Sequence, residues 1–319
     1  MTKPIMSVAI MQLVERGKLN LADNAADYYP PLKKLRVIKD LTTGIYGPTV
    51  SAKQPITILQ LLTHTSGLSH GLEETLFDQQ LFKLMYNELF DPAEYNNLKE
   101  RVDKLMLVPL IGQPGEQWYY SAAPDILALI LEKITGQSTE TYLEENIFDP
   151  LSMNETGYNV RLEQQQRIMQ VHFNLEDGTL VNSHVQVPTT GNTVYGGTHG
   201  LFSSTEDFLK FCQMILNKGS FNDQRILKKE TVELMTKNHV GELVGPGRGF
   251  GLGFGLLYDT NKDLSPANTG QIYWGGYFKT HFFIDPKESL IAIIMTQKIP
   301  NTDEYIIELN RAVYGALSF

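Results

Sequence analysis

The chain begins with "MTKPIMSVAIMQLVERGKL", residues 1–19, and this stretch determines how the rest is interpreted. Its apolar residues stand at positions 5, 6, 8–11, 13 and 14, which covers nearly the whole circumference of a helix. A helix that is apolar on every side is normally enclosed by other structure. The sequence therefore predicts a buried helix that ends near Gly17.

The composition is that of a folded, acidic protein. Of the 319 residues, 42% are hydrophobic, and 27 Lys and Arg stand against 36 Asp and Glu, a net charge of −9. The absence of a basic run argues against a nucleic-acid partner. The longest apolar stretch, "LIAIIM" at 290–295, is too short to cross a membrane as a helix. Without repeats or a low-complexity linker, we expect one domain across residues 1–319.

The order of the predicted elements indicates an α+β fold. Helical patterns occupy 56–68, 72–90, 98–110, 123–136 and 204–219; strand patterns follow at 249–259, 271–276, 280–285 and 290–297, and an amphipathic helix closes the chain at 304–317. The segment "DPKES" (285–289) predicts a hairpin turn. Helices followed by antiparallel strands differ from βαβ alternation. We expect a mainly helical lobe over 1–200 and a sheet lobe with its closing helix over 201–319.

Two polar residues in these segments are candidates for proton transfer. Lys3 lies in the first turn of the buried helix, where burial and the positive helix N-terminus both lower a lysine's pKa. The alternative for Lys3 is a solvated side chain at a frayed terminus. Tyr120 precedes the helix at 123–136 and either relays protons or simply packs its ring.

Other motifs carry less weight. Ser69 in "GLSHG" (67–71) matches the G-x-S-x-G nucleophile elbow, but that turn follows a strand, whereas the preceding segment here is predicted to be helical. The single cysteine, Cys212, falls in an apolar helical pattern and is expected to be a small buried side chain. The histidines lack metal-ligand spacing and no phosphate-binding loop occurs, so we expect neither a metal site nor a cofactor.

Seven blocks in the chain resemble, in the right order, the serine β-lactamase-related hydrolases. This family includes class C β-lactamases, D,D-peptidases and family VIII carboxylesterases. The blocks are "MTKPIMSVAIMQLVERGKLNLAD", "ITILQLLTHTSGL", "PGEQWYYSAAPDILALILEKITGQS", "IFDPLSMNETGY", "GLFSSTEDFLKFCQMILNKG", "GFGLGFGLLYD" and "YWGGYFKTHFFIDP". The resemblance implies a β-lactamase/transpeptidase-like fold, with an antiparallel sheet flanked by helices and a mostly helical lobe.

The first motif of that family is Ser-x-x-Lys, and the chain carries Met1, Thr2 and Lys3 without the serine. We therefore expect the chain to be cut inside this motif, with the nucleophilic serine directly before Met1 and an N-terminal segment also missing. The resemblance makes Lys3 the base and Tyr120 the tyrosine of the second motif. No second Ser-x-x-Lys occurs, and Ser7 lies on the buried side of the helix, so the chain as written should be inactive or nearly so.

The third motif corresponds to Trp274, Gly275 and Gly276, where lactamases and peptidases usually place Lys-Thr-Gly. The resemblance makes the backbone N–H of Tyr277 an oxyanion donor. Ala122 stands where the lactamase and peptidase branches usually carry Asn, and both departures favour the esterase branch. The family's "LLTHTSGL" block also contains a histidine, His64, for which we expect a structural role.

The leading functional hypothesis is a serine carboxylesterase that acts on small esters through an acyl-enzyme. Within the enzyme class the alternative is a β-lactamase or D,D-peptidase with a lactam or peptide substrate. A third hypothesis is a non-catalytic family member that binds a ligand or partner. The natural substrate, the compartment and the oligomeric state leave no clear mark in the sequence.

Overall fold

The computed structural model describes residues 1–86, 95–185, 187–258, 267–299 and 304–317. The chain forms two compact units. The helical unit comprises residues 2–147 and 191–200, and the sheet unit comprises Met1 with residues 148–190 and 201–319. The prediction of one domain across the whole chain stays a prediction.

The helical unit is built from helices and one small hairpin. Its helices are α1 (Thr2–Glu15), α2 (Ala25–Tyr28), α3 (Ile58–Leu62), α4 (Leu76–Tyr86), α5 (Leu98–Leu105), α6 (Ala123–Thr135) and α7 (Thr139–Leu143), and its antiparallel strands are β1 (Arg36–Ile38) and β2 (Thr49–Ser51). Short 3₁₀ turns cover Pro30–Lys34 and Leu41–Thr43, and a π-helical turn begins at Glu144.

Helix α1 is as fully enclosed as its sequence predicts. Every residue from Thr2 to Leu13 is buried, and the helix packs against α6 and α7. Helix α6 in turn packs against α3 and α5, so it is the centre of the unit. It ends at Gly136, whose φ of 73° is the left-handed conformation that terminates many helices. This arrangement holds the first turn of α1 and the first turn of α6 inside one core.

Three helices of this unit are shorter than their sequence patterns predicted. The pattern at 56–68 gives a helix only over Ile58–Leu62, because the chain turns at His64, whose φ is 57°. A non-glycine residue in that region breaks a right-handed helix. The pattern at 98–110 ends as a helix at Leu105. The pattern at 72–90 gives α4 over Leu76–Tyr86, and its residues 87–90 lie outside the described part.

The sheet unit contains a five-stranded sheet, a three-stranded sheet and a short hairpin. Its strands are β3 (His172–Asn174), β4 (Leu180–Asn182), β5 (Ser220–Phe221), β6 (Gln224–Arg225), β7 (Arg248–Phe250), β8 (Gly255–Leu257), β9 (Ile272–Gly275), β10 (His281–Asp285), β11 (Leu290–Ile294) and β12 (Lys298–Ile299). Its helices are α8 (Thr205–Leu216), α9 (Lys229–Met235) and α10 (Glu304–Ala316), with a 3₁₀ turn at Leu162–Arg167.

The main sheet is antiparallel and has the order β11-β10-β9-β8-β7. Successive side chains of a strand point to opposite faces, so the fully buried β10 supports two cores. Phe282 contacts Phe208 of α8, with ring centroids 5.1 Å apart, and Phe283 stacks on Tyr314 of α10 at 5.7 Å. Helices therefore cover both faces of the antiparallel sheet, which confirms the predicted α+β class.

The strand predictions hold for this sheet with one correction. The stretch 249–259 is not a single strand but two, β7 and β8, joined by a turn in which Gly253 has a φ of 89° and the N–H of Gly251 donates to the carbonyl of Phe254. The glycines supply the backbone conformation that the turn requires. The predicted turn after Asp285 is present and pairs Asp285 with Leu290.

Helix α8 begins with a side-chain cap. The side chain of Ser204 accepts a hydrogen bond from the N–H of Asp207, as an N-cap does, at 3.3 Å. The Asp207 carboxylate accepts from the N–H of Glu155, so it ties α8 to a neighbouring loop. The helix also carries Cys212, which is fully buried as expected. Within the described residues, no helix is long and apolar enough to span a bilayer.

Candidate active site

Lys3 is the chemically unusual residue of the helical unit. Its side chain is 5% exposed, and its Nζ donates a hydrogen bond to the backbone carbonyl of Thr198 at 3.0 Å. Burial lowers the pKa of Lys3 from 10.5 to about 7; the negative charge of Asp125 raises that pKa and the positive charge of Arg101 lowers it. A large fraction of the amine is therefore uncharged at neutral pH, which excludes the alternative of a frayed, solvated lysine.

Tyr120 lies directly against this amine. The Nζ atom of Lys3 is 4.4 Å from the centroid of the tyrosine ring. The ring of His70 stacks on the same tyrosine at 5.2 Å, and the ring of His64 meets it edge-on at 5.1 Å. The structure thus brings together Lys3 and Tyr120, the two predicted proton-transfer residues, which are 117 positions apart in the sequence.

His64 fixes the loop that carries Tyr120. Its backbone carbonyl accepts the N–H of Tyr119 at 2.9 Å, and its Nδ1 atom pairs with the hydroxyl of Ser121 at 2.8 Å. The two neighbours of Tyr120 in the chain are therefore both attached to one buried residue. These contacts support the structural role expected of His64, a prediction that stays to be tested.

Three imidazoles lie near the pair: His64 is buried, His70 is half-buried and His199 is exposed. The pKa values of all three lie well below their usual range. Burial is the main cause at His64 and His70, and the charge of Lys3 contributes in the same direction to each of the three. A histidine with so low a pKa is neutral at pH 7. The rings near Lys3 therefore add no positive charge to its environment at pH 7.

A buried ion pair stands behind Lys3, and the sequence analysis did not predict it. The Nε atom of Arg101 lies 3.0 Å from Oδ2 of Asp125, with side-chain exposures of 5% and 2%. An Nη atom of Arg101 also contacts Nε2 of His199 at 2.7 Å. The available signal was Asp125 itself, a carboxylate in the first turn of the otherwise apolar segment "APDILALIL". A lone acid in such a pattern indicates a buried partner of opposite charge.

Neither alternative serine resembles an activated nucleophile. Ser69 is buried, donates its hydroxyl hydrogen bond to Asp78 and accepts the N–H of Gly71 at 3.0 Å. Both contacts hold its loop together, and no strand precedes it as an elbow requires. Ser7 is buried within α1. Both serines are therefore buried residues of the core.

The residues of the third motif lie in the sheet unit, at the end of β9. Trp274 is half-buried and packs edge-on against Phe250 at 5.1 Å. Gly275 pairs with His281, and the N–H of Gly276 donates to the carbonyl of Thr280 at 2.8 Å. A side chain at Gly276 is impossible without rearrangement, because a Cβ there would be 2.2 Å from Oγ1 of Thr280.

Tyr277 follows this tight turn and is 41% exposed, with its ring edge-on to Phe278. The backbone N–H of Tyr277 is the predicted oxyanion donor. That role stays a prediction. Among the described residues, no group of three His, Cys, Asp or Glu side chains is arranged to hold a metal ion.

The family assignment follows from comparison with known proteins. The family model described as Beta-lactamase matches residues 1–314. The chain belongs to the beta-lactamase family. Protein Rv1367c of Mycobacterium tuberculosis is 31% identical over 320 residues, which cover 94% of this chain and 77% of the relative. Lovastatin esterase of Penicillium rubens is 28% identical over 332 residues (95% and 79%), and Esterase EstB of Burkholderia gladioli is 26% identical over 318 residues (92% and 75%).

Solved structures confirm the fold of this beta-lactamase-family protein. EstCE1, described as a hydrolase with promiscuous acyltransferase activity, aligns with a TM-score of 0.81 at 23% identity over 98% of this chain and 83% of that one. Unliganded simvastatin synthase of Aspergillus terreus aligns with a TM-score of 0.80 at 23% identity over 99% and 83%. The predicted resemblance and the β-lactamase/transpeptidase-like fold are therefore both correct.

Proposed function

We propose that this beta-lactamase-family protein is a serine carboxylesterase that cleaves small esters through an acyl-enzyme. The observation that carries the proposal is the buried Lys3 amine, its pKa lowered to about 7, held against the ring of Tyr120. An amine with a pKa near 7 is suited to accept a proton at neutral pH, because general bases work best when their pKa lies near the working pH.

The nucleophile in this proposal is a serine directly before Met1, as the family motif requires. Serine and lysine three positions apart share one face of a helix, so Lys3 would be within reach of the hydroxyl. Lys3 takes the proton of the serine while the serine oxygen attacks the ester carbonyl. The alcohol leaves with a proton delivered through Tyr120 and Lys3, and water then attacks the acyl-enzyme by the reverse proton route.

The oxyanion of each tetrahedral intermediate is assigned to the N–H of Tyr277 and to the backbone N–H of the nucleophile. Donors aimed at the oxyanion typically contribute about 3–4 kcal/mol to transition-state stabilisation. Trp274, Gly275 and Gly276 are proposed to line the substrate. A glycine at 276 lets the substrate approach the backbone, and a larger residue is sterically excluded.

Two features support an ester over a lactam. Ala122 offers no side-chain amide at the position where the lactamase and peptidase branches usually carry one; its N–H donates to the carbonyl of Ser69. Two of the relatives are named as esterases. A β-lactamase or D,D-peptidase activity therefore ranks second, and a binding protein without catalysis ranks third.

The test compares three proteins with a fluorophosphonate probe and intact-mass analysis. These are the chain as written, the chain preceded by serine, and the matched control preceded by alanine. We expect one added probe mass only in the serine form, with hydrolysis of p-nitrophenyl butyrate well above that of nitrocefin. Labelling of the chain as written would overturn the assignment and direct peptide mapping to Ser69.

Other outcomes decide between the remaining hypotheses. Faster turnover of nitrocefin than of the ester would establish the lactamase alternative. A serine form that is folded yet neither labels nor hydrolyses either compound would favour the non-catalytic binding protein.

A further inference from the structure

One residue in the helical unit, Thr198, links Lys3 to a buried carboxylate through its backbone. The carbonyl of Thr198 accepts the hydrogen bond from Nζ of Lys3 at 3.0 Å, and its N–H donates to Oδ1 of Asp125 at 2.8 Å. The Thr198 hydroxyl also donates to the carbonyl of Ala122 at 3.3 Å. Residues 191–200 are thus attached to the start of α6, and the lysine is attached to them.

The same carboxylate is held from its other side. Oδ2 of Asp125 faces Nε of Arg101 at 3.0 Å, so its two oxygens serve two different partners. Arg101 reaches back to the loop as well, because its Nη2 atom contacts the ring of His199, the residue after Thr198. The loop that holds Lys3 is therefore connected on two successive residues to one ion pair.

We propose that the Arg101–Asp125 ion pair is a positioning device for Lys3, which fixes the Thr198 carbonyl that holds the amine and balances the charge around it. The inference deepens the proposed function, since it assigns positioning residues to the same proton-transfer site. Neither residue touches the reacting atoms in this arrangement. Both act through the loop peptide and through their electric field.

The balance of charge is the physical reason for a pair. Asp125 alone would raise the pKa of Lys3, and Arg101 alone would lower it. A buried acid by itself would favour the ammonium form, which is useless as a base. A buried arginine by itself would destabilise the fold by several kcal/mol. Together they anchor the loop and leave burial as the dominant influence on Lys3.

The charged side chains that shift the pKa of Lys3 are Asp125 and Arg101. The remaining titratable side chains of the cluster are the three neutral imidazoles and two phenols, contributed by the 63–71 turn, by α4, by the loop before α6 and by residues 191–200: His64, His70, His199, Tyr86 and Tyr120. Burial holds the pKa values of His64 and His70 low and raises the pKa of Tyr86. Mutation of the ion pair is therefore expected to shift the pKa of Lys3.

The test measures the pKa of Lys3 directly, by NMR titration of protein labelled with ¹³Cε-lysine. Lys3→Arg identifies the Lys3 signal by its disappearance. In Asp125→Asn we expect the pKa of Lys3 to fall by about one pH unit, because the attractive charge is lost and Arg101 remains. In Arg101→Met it should rise by a smaller amount, because Arg101 has the smaller effect on Lys3.

The double variant Arg101→Met/Asp125→Asn keeps the test valid where a single variant fails to fold. Replacing a buried ion pair by a neutral pair is often tolerated, whereas removing one partner is costly. Since Asp125 has the larger effect on Lys3, we expect the double variant to lie between Asp125→Asn and wild type. The full expected order of Lys3 pKa is Asp125→Asn, double variant, wild type, Arg101→Met.

Asp207→Asn is the matched control. Asp207 is a buried carboxylate in the sheet unit that also accepts a backbone N–H, from Glu155, and pairs with Lys210. Its loss should lower thermal stability without moving the Lys3 titration. A Lys3 pKa unchanged in folded Asp125→Asn and in the double variant, or moved equally by Asp207→Asn, overturns the proposal.

This measurement needs no nucleophile, so it is independent of the esterase assignment. If the Lys3 titration follows the expected order but the serine form has no activity, the proposed function fails and the positioning role stands. If the serine form is active and the Lys3 pKa does not change when the ion pair is mutated, the positioning role fails and the proposed function stands. In the serine form, the pH at which ester hydrolysis reaches half its maximum should move with the Lys3 pKa in each variant.

Discussion

Tyr120 is constrained through its two chain neighbours and by a histidine stacked on its ring. Tyr119 and Ser121 are tied to His64, and His70 stacks on the ring itself. These contacts involve the ring of Tyr120 and its chain neighbours, and not its hydroxyl. The proposed function assigns that hydroxyl to proton transfer, so its removal separates packing from chemistry.

Tyr120→Phe in the serine form should therefore lower kcat for p-nitrophenyl butyrate by about 10²–10⁴, the usual contribution of a general acid or base. The melting temperature should change little, because the ring keeps its contacts. Tyr119→Phe is the control from the same loop; its hydroxyl contacts Gln117. Equal activity of the two variants would remove Tyr120 from the mechanism.

At the residue scale, the sequence identified candidate residues that belong to a local motif. It missed residues that become neighbours only in the folded protein. Lys3 and Tyr120 were predicted because each belongs to a local pattern. Arg101 and His199 are 98 positions apart, and Asp125 and Thr198 are 73 apart. No local periodicity encodes such pairs, and a buried Arg or Asp differs from a solvated one only in its tertiary surroundings.

The loop at 191–200 is the element on which the site depends. Gly197 has no room for a side chain, since a Cβ there would lie 2.1 Å from the carbonyl of Pro124 and 2.7 Å from Cγ of Met6. The next residue is Thr198, which holds Lys3. The close approach of loop, α6 and α1 thus requires glycine at this position.

Gly197→Ala should therefore displace the loop and weaken the Lys3–Thr198 bond. We expect a loss of about 1–3 kcal/mol in the free energy of unfolding, the usual cost of overpacking, measured by urea titration. The Lys3 signal in the ¹³Cε-lysine spectrum should shift as well. Gly157→Ala is the control, because its Cβ would meet nothing closer than 3.6 Å. Equal stability of the two variants would contradict this account.

Element boundaries were the weaker part of the sequence prediction, and the reasons are local. The helix at 56–68 was extended through His64 because its apolar pattern continues, although the backbone there turns left-handed. The stretch at 249–259 reads as one strand, although its glycines permit the turn between β7 and β8. Apolar patterning reports burial, and it does not show where a buried segment changes direction.

At the scale of the whole molecule, the buried bases make stability depend on pH. The folded pKa of Lys3 is about 7, against 10.5 in the unfolded chain. His64, which is buried, and His70, which is half-buried, likewise have pKa values below their ordinary 6.5. Between the folded-state pKa and the unfolded-state pKa of each group, the unfolded chain binds more protons than the folded protein. Stability therefore rises with pH, first below 6.5 through the histidines and then above about 7 through Lys3.

Of these groups, only Lys3 contributes to the rise in stability above about pH 7, and this contribution can be tested. From pH 7 to 9.5 the wild type should gain up to about 3 kcal/mol, at about 1.4 kcal/mol per pH unit. Lys3→Met should lose this gain, because a thioether does not titrate. The test compares how the free energy of unfolding changes with pH in the two proteins. The loss of the bond to Thr198 lowers stability at every pH, so it does not affect this comparison.

Urea unfolding followed by far-UV circular dichroism at several pH values measures both slopes. Lys99→Met is the control, since Lys99 is a largely exposed lysine whose loss should leave the wild-type slope unchanged. Parallel slopes for wild type and Lys3→Met would mean that Lys3 is charged in the folded protein at neutral pH. That result would remove the base from the proposed mechanism, because an ammonium group has no lone pair with which to accept the serine proton.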